Sequence, residues 1–223
     1  MDIRFSDRIL AAAPHLRVIA IEAQVSNAPT SDALWQQICD RCAALHSRLD
    51  IAQVNKLPGI APTRAAYKAC GKDPNRYRPS AEALTRRAVK GMELYRTLTI
   101  IDLINLVSLH TGHSIGGFDH DKIEGDSLLL DVGAEGEPFE AIGRGQLNIA
   151  GLPAYRDRIG AIGTPTSDCE RTKLSASSSR LLMLVNVYDP ESDIEALREY
   201  IERLLTENGG SVATCKIYKP NNS

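Results

Sequence analysis

The stretch that decides the fold runs from Ile101 to Glu137 and reads IDLINLVSLHTGHSIGGFDHDKIEGDSLLLDVGAEGE. It begins with an apolar segment that carries polar residues at Asp102, Asn105 and Ser108. Because these residues recur every three positions, the segment is predicted to be a helix that presents them on one face. A glycine pair, an aspartate-rich turn, a short apolar strand and a Gly-Glu hairpin follow, so the chain is predicted to turn from helix to sheet here.

The sequence outside this stretch predicts an α+β fold. Strands cluster in the middle of the chain and helices towards its ends, which favours a single domain around a largely antiparallel β-sheet flanked by helices. Apolar spacing and turn residues set the expected bounds. The expected helices cover 31–48, 62–71, 80–91, 98–109 and 189–209, and the expected strands cover 16–25, 128–132, 138–143, 147–151, 158–163, 180–188 and 212–218.

Composition and charge exclude several classes of protein. The chain is 43% hydrophobic and 24% charged with a formal net charge of −2, which is ordinary for a globular protein and not the signature of a general nucleic-acid binder. No DNA partner is expected. Its apolar runs are far shorter than the ~20 residues that span a bilayer, and its first residues lack the apolar core of a signal peptide. Five irregularly spaced cysteines favour a reducing compartment, so a cytoplasmic protein without membrane contact is expected.

One segment, residues 64–90, is strongly basic, with eight Lys or Arg against two acids. Such a segment predicts contacts with phosphate groups, and Tyr77, which stands between two arginines, could stack on a base. The alternative is a solvated helix face whose cations pair with acids elsewhere in the chain. The candidate phosphate ligands in this segment are Arg76, Arg78, Arg86 and Arg87.

A second candidate site is the loop at 163–173, which reads GTPTSDCERTK. Its hydroxyl groups could orient water or a ribose, and Asp168 could bind an ammonium group. Arg171 and Lys173 could bind phosphate. The alternative is a loop that is simply exposed to solvent.

No metal site or cofactor is expected. His110, His113 and His120 lie near one another in the sequence, but a turn interrupts the helix between the first pair and the third. Cys39-x-x-Cys42 lies inside a predicted helix and has no second pair, so both are expected to be ordinary buried cysteines.

The stretch 101–137 resembles the B3/B4 editing domain of the phenylalanyl-tRNA synthetase beta subunit, and it is still more similar to free-standing proteins built from that domain. That domain has an acid and an asparagine three residues apart, a glycine turn that ends in an aromatic-Asp pair, a strand and then Gly-Glu. The resemblance implies the B3/B4 fold for a core at 67–184. Residues 1–60 would add an N-terminal strand and helix, and residues 185–223 a helix and strand that complete the sheet.

The resemblance also implies a pocket that handles an aminoacyl group. Asn105 matches a pocket-lining asparagine, and Ser167, Asp168 and Thr172 match a loop of the free-standing proteins. The backbone amides of Gly116 and Gly117 are candidate oxyanion donors. The expected substrate-binding residues are Asn105, Ser108, Asp119, Ser167, Asp168 and Thr172, and the catalytic candidates are Asn105, Gly116, Gly117 and Asp168.

Two residues of the synthetase's editing site are missing. Its histidine position is Gly116 here, and its glutamate position falls near Ser177. The sequence therefore predicts a free-standing domain that recognises aminoacylated tRNA and, if it is catalytic, deacylates mischarged tRNA in trans. A non-catalytic RNA or amino-acid binding module and a small-molecule hydrolase remain alternatives. The chain is too short for a complete synthetase, and the sequence does not specify the amino acid, the tRNA or the oligomeric state.

Overall fold

A computed structural model describes residues 1–220 of the chain. Within them the chain forms six α-helices and ten β-strands. The helices are α1 (Asp7–Ala12), α2 (Asp32–Arg48), α3 (Ala61–Ala69), α4 (Ser80–Val89), α5 (Thr99–Thr111) and α6 (Ile194–Glu207). The strands are β1 (Asp2–Phe5), β2 (Arg17–Gln24), β3 (Ile115–Asp119), β4 (Ser127–Val132), β5 (Glu140–Ala141), β6 (Gly145–Gln146), β7 (Pro153–Arg156), β8 (Ala161–Gly163), β9 (Arg180–Val187) and β10 (Ser211–Tyr218).

Two four-stranded sheets form the framework. One has the order β10-β2-β9-β3 and is antiparallel throughout, with β3 as an edge strand. The other has the order β1-β4-β7-β8, in which β1 runs parallel to β4 and the remaining pairs are antiparallel. A small hairpin, β5-β6, lies apart from both. The predicted α+β class with a largely antiparallel sheet is confirmed.

The antiparallel sheet is covered on both faces. In β2, Ile19 and Ile21 belong to an apolar cluster shared with helices α2, α5 and α6, whereas Val18 and Ala20 belong to a second cluster shared with the other sheet. Residues 181–187 of β9 are likewise all buried. A strand that is buried on both faces reads as a continuous apolar run, which explains the unbroken sequence LLMLV.

Helix α5 confirms the helix predicted from the polar spacing. Its Asp102 is fully buried and accepts hydrogen bonds from Thr30 Oγ1 at 2.5 Å, from Thr97 Oγ1 at 2.9 Å and from the Thr97 N–H at 2.8 Å. Asp102 therefore ties α5 to the segments that precede α2 and α5 and has a structural role. The helix ends at Gly112, whose φ of 76° is a left-handed conformation that glycine adopts without strain.

One helix begins where the sequence predicts and another begins later. Helix α4 begins at Ser80, the first residue of the expected range 80–91, and the Ser80 N–H donates to the Pro165 carbonyl at 2.7 Å. Helix α6 begins at Ile194 rather than at 189, because the Asp193 side chain accepts a hydrogen bond from the Ala196 N–H and caps the helix there.

The strand predicted at 147–151 is wrong, and β7 directly after it was missed. Ile149 and Leu152 are fully buried in a third apolar cluster, so their pattern reflects burial in an irregular segment. The chain turns at Gly151, with φ of 74°, before β7 begins. The strands expected at 138–143 and 158–163 are present but shorter, as β5 and β8.

Candidate functional site

A cavity of about 810 Å³ lies where α4 and α5 meet the edge strand β3 and the loop at 164–174. Residues of α5, namely Ile101, Ile104, Asn105 and Ser108, form one wall. We call this cavity the α4–α5 pocket. On that wall Ile101 and Ile104 are apolar, whereas Asn105 and Ser108 are polar, so the pocket combines an apolar surface with hydrogen-bonding groups.

Asp168 is the acid of this pocket. Its Oδ2 accepts a hydrogen bond from the Gly117 N–H at 3.1 Å. Its Oδ1 lies against Gly163, where an added β-carbon would be only 2.8 Å from the oxygen and 2.5 Å from the Phe118 ring. Glycine at this position therefore makes room for the carboxyl group between the strand and the aromatic ring.

The surroundings of Asp168 change its acidity. Burial raises the pKa of Asp168 to about 7, and the hydrogen bond from Gly117 lowers it only in part. Within residues 1–220 no lysine or arginine forms an ion pair with this carboxyl group. Asp168 therefore changes charge close to neutral pH, which is the property expected of a general base or of a binding site for a cationic group.

The backbone amides proposed as oxyanion donors are both engaged. The Gly117 N–H points outward from β3 to Asp168. The Ser114 carbonyl, just before β3, accepts a hydrogen bond from the N–H of Asn186 on the adjacent strand β9. In this register the backbone N–H and carbonyl groups of residues 114, 116 and 118 point towards β9. The Gly116 N–H is thus directed into the sheet, and neither glycine offers a free donor to the pocket.

Asn105 and Ser108 both line the pocket. Asn105 is half-buried, and its amide makes no side-chain hydrogen bond within the described part of the chain. Ser108 is buried one turn further along α5. The amide of Asn105 is therefore available to a bound molecule.

Positive charge dominates the rest of the lining. Six cations line the pocket against one acid, Asp168, in a protein whose net charge is −2. Opposite charges attract one another even in water, so a pocket lined by an excess of cations favours an anionic ligand. The six cations are Arg78, Arg86, Arg87, Lys90, Arg144 and Lys173.

A buried glutamate organises part of this positive surface. Glu82 is fully buried and lies 2.7 Å from Arg64, 2.8 Å from Arg86 and 3.7 Å from Arg78. Arg64 also donates to Asn75 and is nearly buried, so it has a structural role. Three arginines share one carboxylate, which leaves a net positive charge where α4 meets the pocket.

Several other residues from the sequence analysis lie outside the pocket. Asp119 is buried and bonds Ser178 and Lys122, and Arg171 donates to both oxygens of Asp157 at 2.8 and 2.9 Å. These polar groups are satisfied within the protein and hold the loops around the pocket. The residues that do not line it are Gly116, Asp119, Ser167, Arg171 and Thr172, together with the exposed Arg76.

Among the charged and aromatic residues of the pocket, three were not assigned a role from the sequence. Lys90 ends the basic segment but was not assigned a role. Arg144 stands between two glycines in the β5-β6 turn, a placement typical of an exposed functional side chain. Tyr95 lies in the irregular segment between α4 and α5, where no sequence pattern marks it.

The candidate metal ligands are not assembled. Within residues 1–220 no three His, Cys, Asp or Glu side chains converge as metal ligands. His113 is buried, its Nε2 lies 3.2 Å from Ser192 Oγ, and burial lowers the pKa of its imidazole to about 4. The expectation that Cys39 and Cys42 are buried is wrong: on α2 Cys39 is exposed and Cys42 half-buried, because both face a separate cavity of about 380 Å³ beside Trp35. No helix in the described residues is long and apolar enough to cross a membrane.

The fold and the pocket define an α+β domain with a cation-lined pocket beside an edge strand. A family model described as the B3/4 domain matches residues 62–203. The chain belongs to the B3/4 domain family. The match confirms the resemblance and extends beyond the core expected at 67–184 in both directions.

Comparison with solved structures gives 16 significant matches. One is an N-terminal fragment of the phenylalanyl-tRNA synthetase beta subunit from Pyrococcus horikoshii, with 13% sequence identity and a TM-score of 0.47. The match covers 95% of this chain and 50% of that fragment, so the chain spans about half the length of the solved relative. No curated protein matches the sequence significantly.

Proposed function

We propose that this chain binds the aminoacylated end of a tRNA in the α4–α5 pocket and hydrolyses the ester in trans. One observation carries the proposal: six cations and a single acid with a pKa of about 7 line the same pocket. Guanidinium and ammonium groups suit the phosphates of an RNA end. Membership of the B3/4 domain family supports the link to tRNA synthetases.

Different regions of the pocket would contact different parts of the ligand. The exposed Arg78, Lys90 and Arg144 would contact phosphates, since their side chains reach solvent. The buried lining near α5 would contact the amino acid: the apolar groups of Ile104 pack against its side chain, and the Asn105 amide binds the ester carbonyl or a hydroxyl. Positioning of an already activated ester supplies much of the required rate enhancement.

Asp168 would act as the general base. In its ionised form, the Asp168 carboxylate takes a proton from a water molecule while the water oxygen attacks the ester carbonyl carbon. The tetrahedral intermediate then breaks its bond to the ribose oxygen, which receives the proton back from Asp168. The products are the free amino acid and uncharged tRNA. A base with a pKa of about 7 is well matched to this proton transfer at neutral pH.

A second candidate function is recognition of charged or uncharged tRNA without catalysis. It is favoured by Gly116 and Ser177, which stand where the synthetase's editing site is expected to have a histidine and a glutamate. Ser177 is exposed and lies near Ser175 rather than in the pocket. The Gly117 amide, one of the two candidate oxyanion donors, is also engaged by Asp168.

A panel of correctly and wrongly charged tRNAs, beginning with tyrosyl-tRNA(Phe), tests the proposal. Wild type is expected to release the amino acid from at least one of them, and Asn105→Ala to release it more slowly. Ser167→Ala, in the same loop as Asp168 but outside the pocket, is the matched control and should keep full activity. Binding without release would establish the recognition module. Neither binding nor release would refute both functions, and ester hydrolysis without salt-dependent RNA affinity would indicate a small-molecule hydrolase.

A further inference from the structure

We infer that Tyr95 and Arg87 form a stacking platform that holds an unpaired nucleobase at the mouth of the α4–α5 pocket. The inference rests on the proposed function, because it assigns a subsite to the RNA portion of the ligand. It concerns a residue that the sequence analysis did not identify.

The first observation is the exposure of Tyr95. Its side chain is 75% exposed, the largest exposure among the big apolar and aromatic side chains of the described residues, although it lines the pocket. An isolated exposed tyrosine on a plain surface would need no explanation. Tyr95, however, lies on the rim of a pocket that contains six cations, where an aromatic face can meet a base directly.

The second observation is that the ring is supported from one side. The guanidinium carbon of Arg87 lies 4.7 Å from the ring centroid of Tyr95, within the range of a cation–π interaction. Arg87 is itself fixed, because its Nε donates to the Glu93 carbonyl at 2.8 Å. The pair therefore presents one preformed aromatic face to solvent, with a positive charge behind it.

The other tyrosines near basic residues lack these properties. Tyr77, which the sequence suggested as a stacking residue, is half-buried, and Lys72 Nζ covers its ring at 3.6 Å. Lys72 cannot readily move aside, since it donates to the carbonyls of Asn148 and Ala150. Tyr200 also pairs with an arginine, but it is half-buried on α6 and does not line the pocket. The stacking role therefore moves from Tyr77 to Tyr95.

An unpaired base is the ligand that this arrangement fits best. Stacking on an aromatic side chain is tolerant of base identity, and the neighbouring cations Lys90 and Arg144 can bind the phosphates that flank the base. In this arrangement an unpaired base of the RNA stacks on the Tyr95 platform, and the aminoacyl end of the strand extends from there into the pocket.

The test compares Tyr95→Ala and Tyr95→Phe with wild type. The probes are uncharged tRNA and a single-stranded RNA of about 12 nucleotides that carries 2-aminopurine, and the readouts are fluorescence anisotropy and 2-aminopurine quenching. Tyr95→Ala is expected to weaken binding about tenfold and to abolish the quenching, whereas Tyr95→Phe keeps both, because the ring and not the hydroxyl does the stacking. Ile159→Ala, which shortens another exposed apolar side chain outside the pocket, should match wild type.

Salt dependence separates stacking from charge. Tyr95 is neutral, so Tyr95→Ala should shift the affinity without changing the slope of log Kd against log salt. Equal affinity and equal quenching for wild type and Tyr95→Ala would overturn the platform while leaving the proposed function intact, provided that wild type binds RNA. If wild type binds no RNA, the platform and the tRNA function both fall.

Discussion

Replacement of Asp168 by asparagine should stabilise the protein at neutral and alkaline pH. The carboxyl group has an ordinary pKa of 3.8 in the unfolded chain, and burial raises it to about 7 in the folded protein. Each unit of pKa difference corresponds to ~1.4 kcal/mol, so a fully ionised Asp168 costs the folded state about 4 kcal/mol. Asparagine has nearly the same shape, can accept the Gly117 N–H and does not ionise.

The sign of the pH dependence follows from the raised pKa. Wild type has its full stability below about pH 4, where Asp168 is protonated in both states, and loses stability as the pH rises to about 7. Urea unfolding of both proteins at about pH 4.5 and about pH 8 measures the effect. The stability of Asp168→Asn relative to wild type should increase by about 3 kcal/mol between those two values. The comparison across pH cancels any constant effect of the new amide.

Asp157 offers a control of opposite sign. Burial raises its pKa, but the hydrogen bonds from Arg171 and from three backbone amides outweigh burial and hold the pKa below its ordinary value. Asp157→Asn should therefore lose stability relative to wild type as the pH rises through the acidic range. Two results would refute the raised pKa of Asp168. Either the difference in the free energy of unfolding between Asp168→Asn and wild type stays constant with pH, or Asp168→Asn is the less stable protein at the higher pH.

Other substitutions test the surface and the framework of the pocket. Arg144→Ala should weaken RNA binding and lower the slope of log Kd against log salt by about one, whereas Arg171→Ala should leave that slope unchanged, as measured by anisotropy over a salt series. Glu82→Gln should lower the free energy of unfolding by ~3–5 kcal/mol in urea, because it removes the only carboxylate that three arginines share. Gly133→Ala should cost ~1–3 kcal/mol in the same assay, since its β-carbon would collide with the carbonyl oxygen of Ile149, and unchanged stability would contradict that packing.

The regular elements were predictable where a local pattern specifies them. The apolar spacing of α2 and the polar spacing of α5 gave the correct helices, and the apolar run of β9 gave the correct strand. The segment at 147–151 misled the prediction because tertiary burial of Ile149 and Leu152 produces the same apolar pattern as a strand. The parallel pairing of β1 with β4 joins residues more than 120 positions apart and has no local signal.

The site was less predictable than the fold. Asn105 and Asp168 could be named from the sequence, but the raised pKa of Asp168 depends on its burial in the fold, which is a tertiary property. The sequence around Arg171 is typical of a phosphate-binding loop. In the folded protein, however, the Arg171 guanidinium forms an ion pair with Asp157 instead. Tyr95 was missed because its segment has no periodicity, and only the fold brings it to the pocket rim.

The most direct test of the proposed chemistry is the pH profile of single-turnover deacylation by wild type and Asp168→Asn, with whichever charged tRNA the panel identifies. If ionised Asp168 is the general base, the wild-type second-order rate constant, measured with subsaturating enzyme, should rise with pH and level off above about 7, the pKa of the free enzyme's carboxyl group. Asp168→Asn should be slower by about 10²-fold or more, without that rise, while it still binds tRNA. An Asp168→Asn protein that releases the amino acid at the wild-type rate with the wild-type profile would contradict the account.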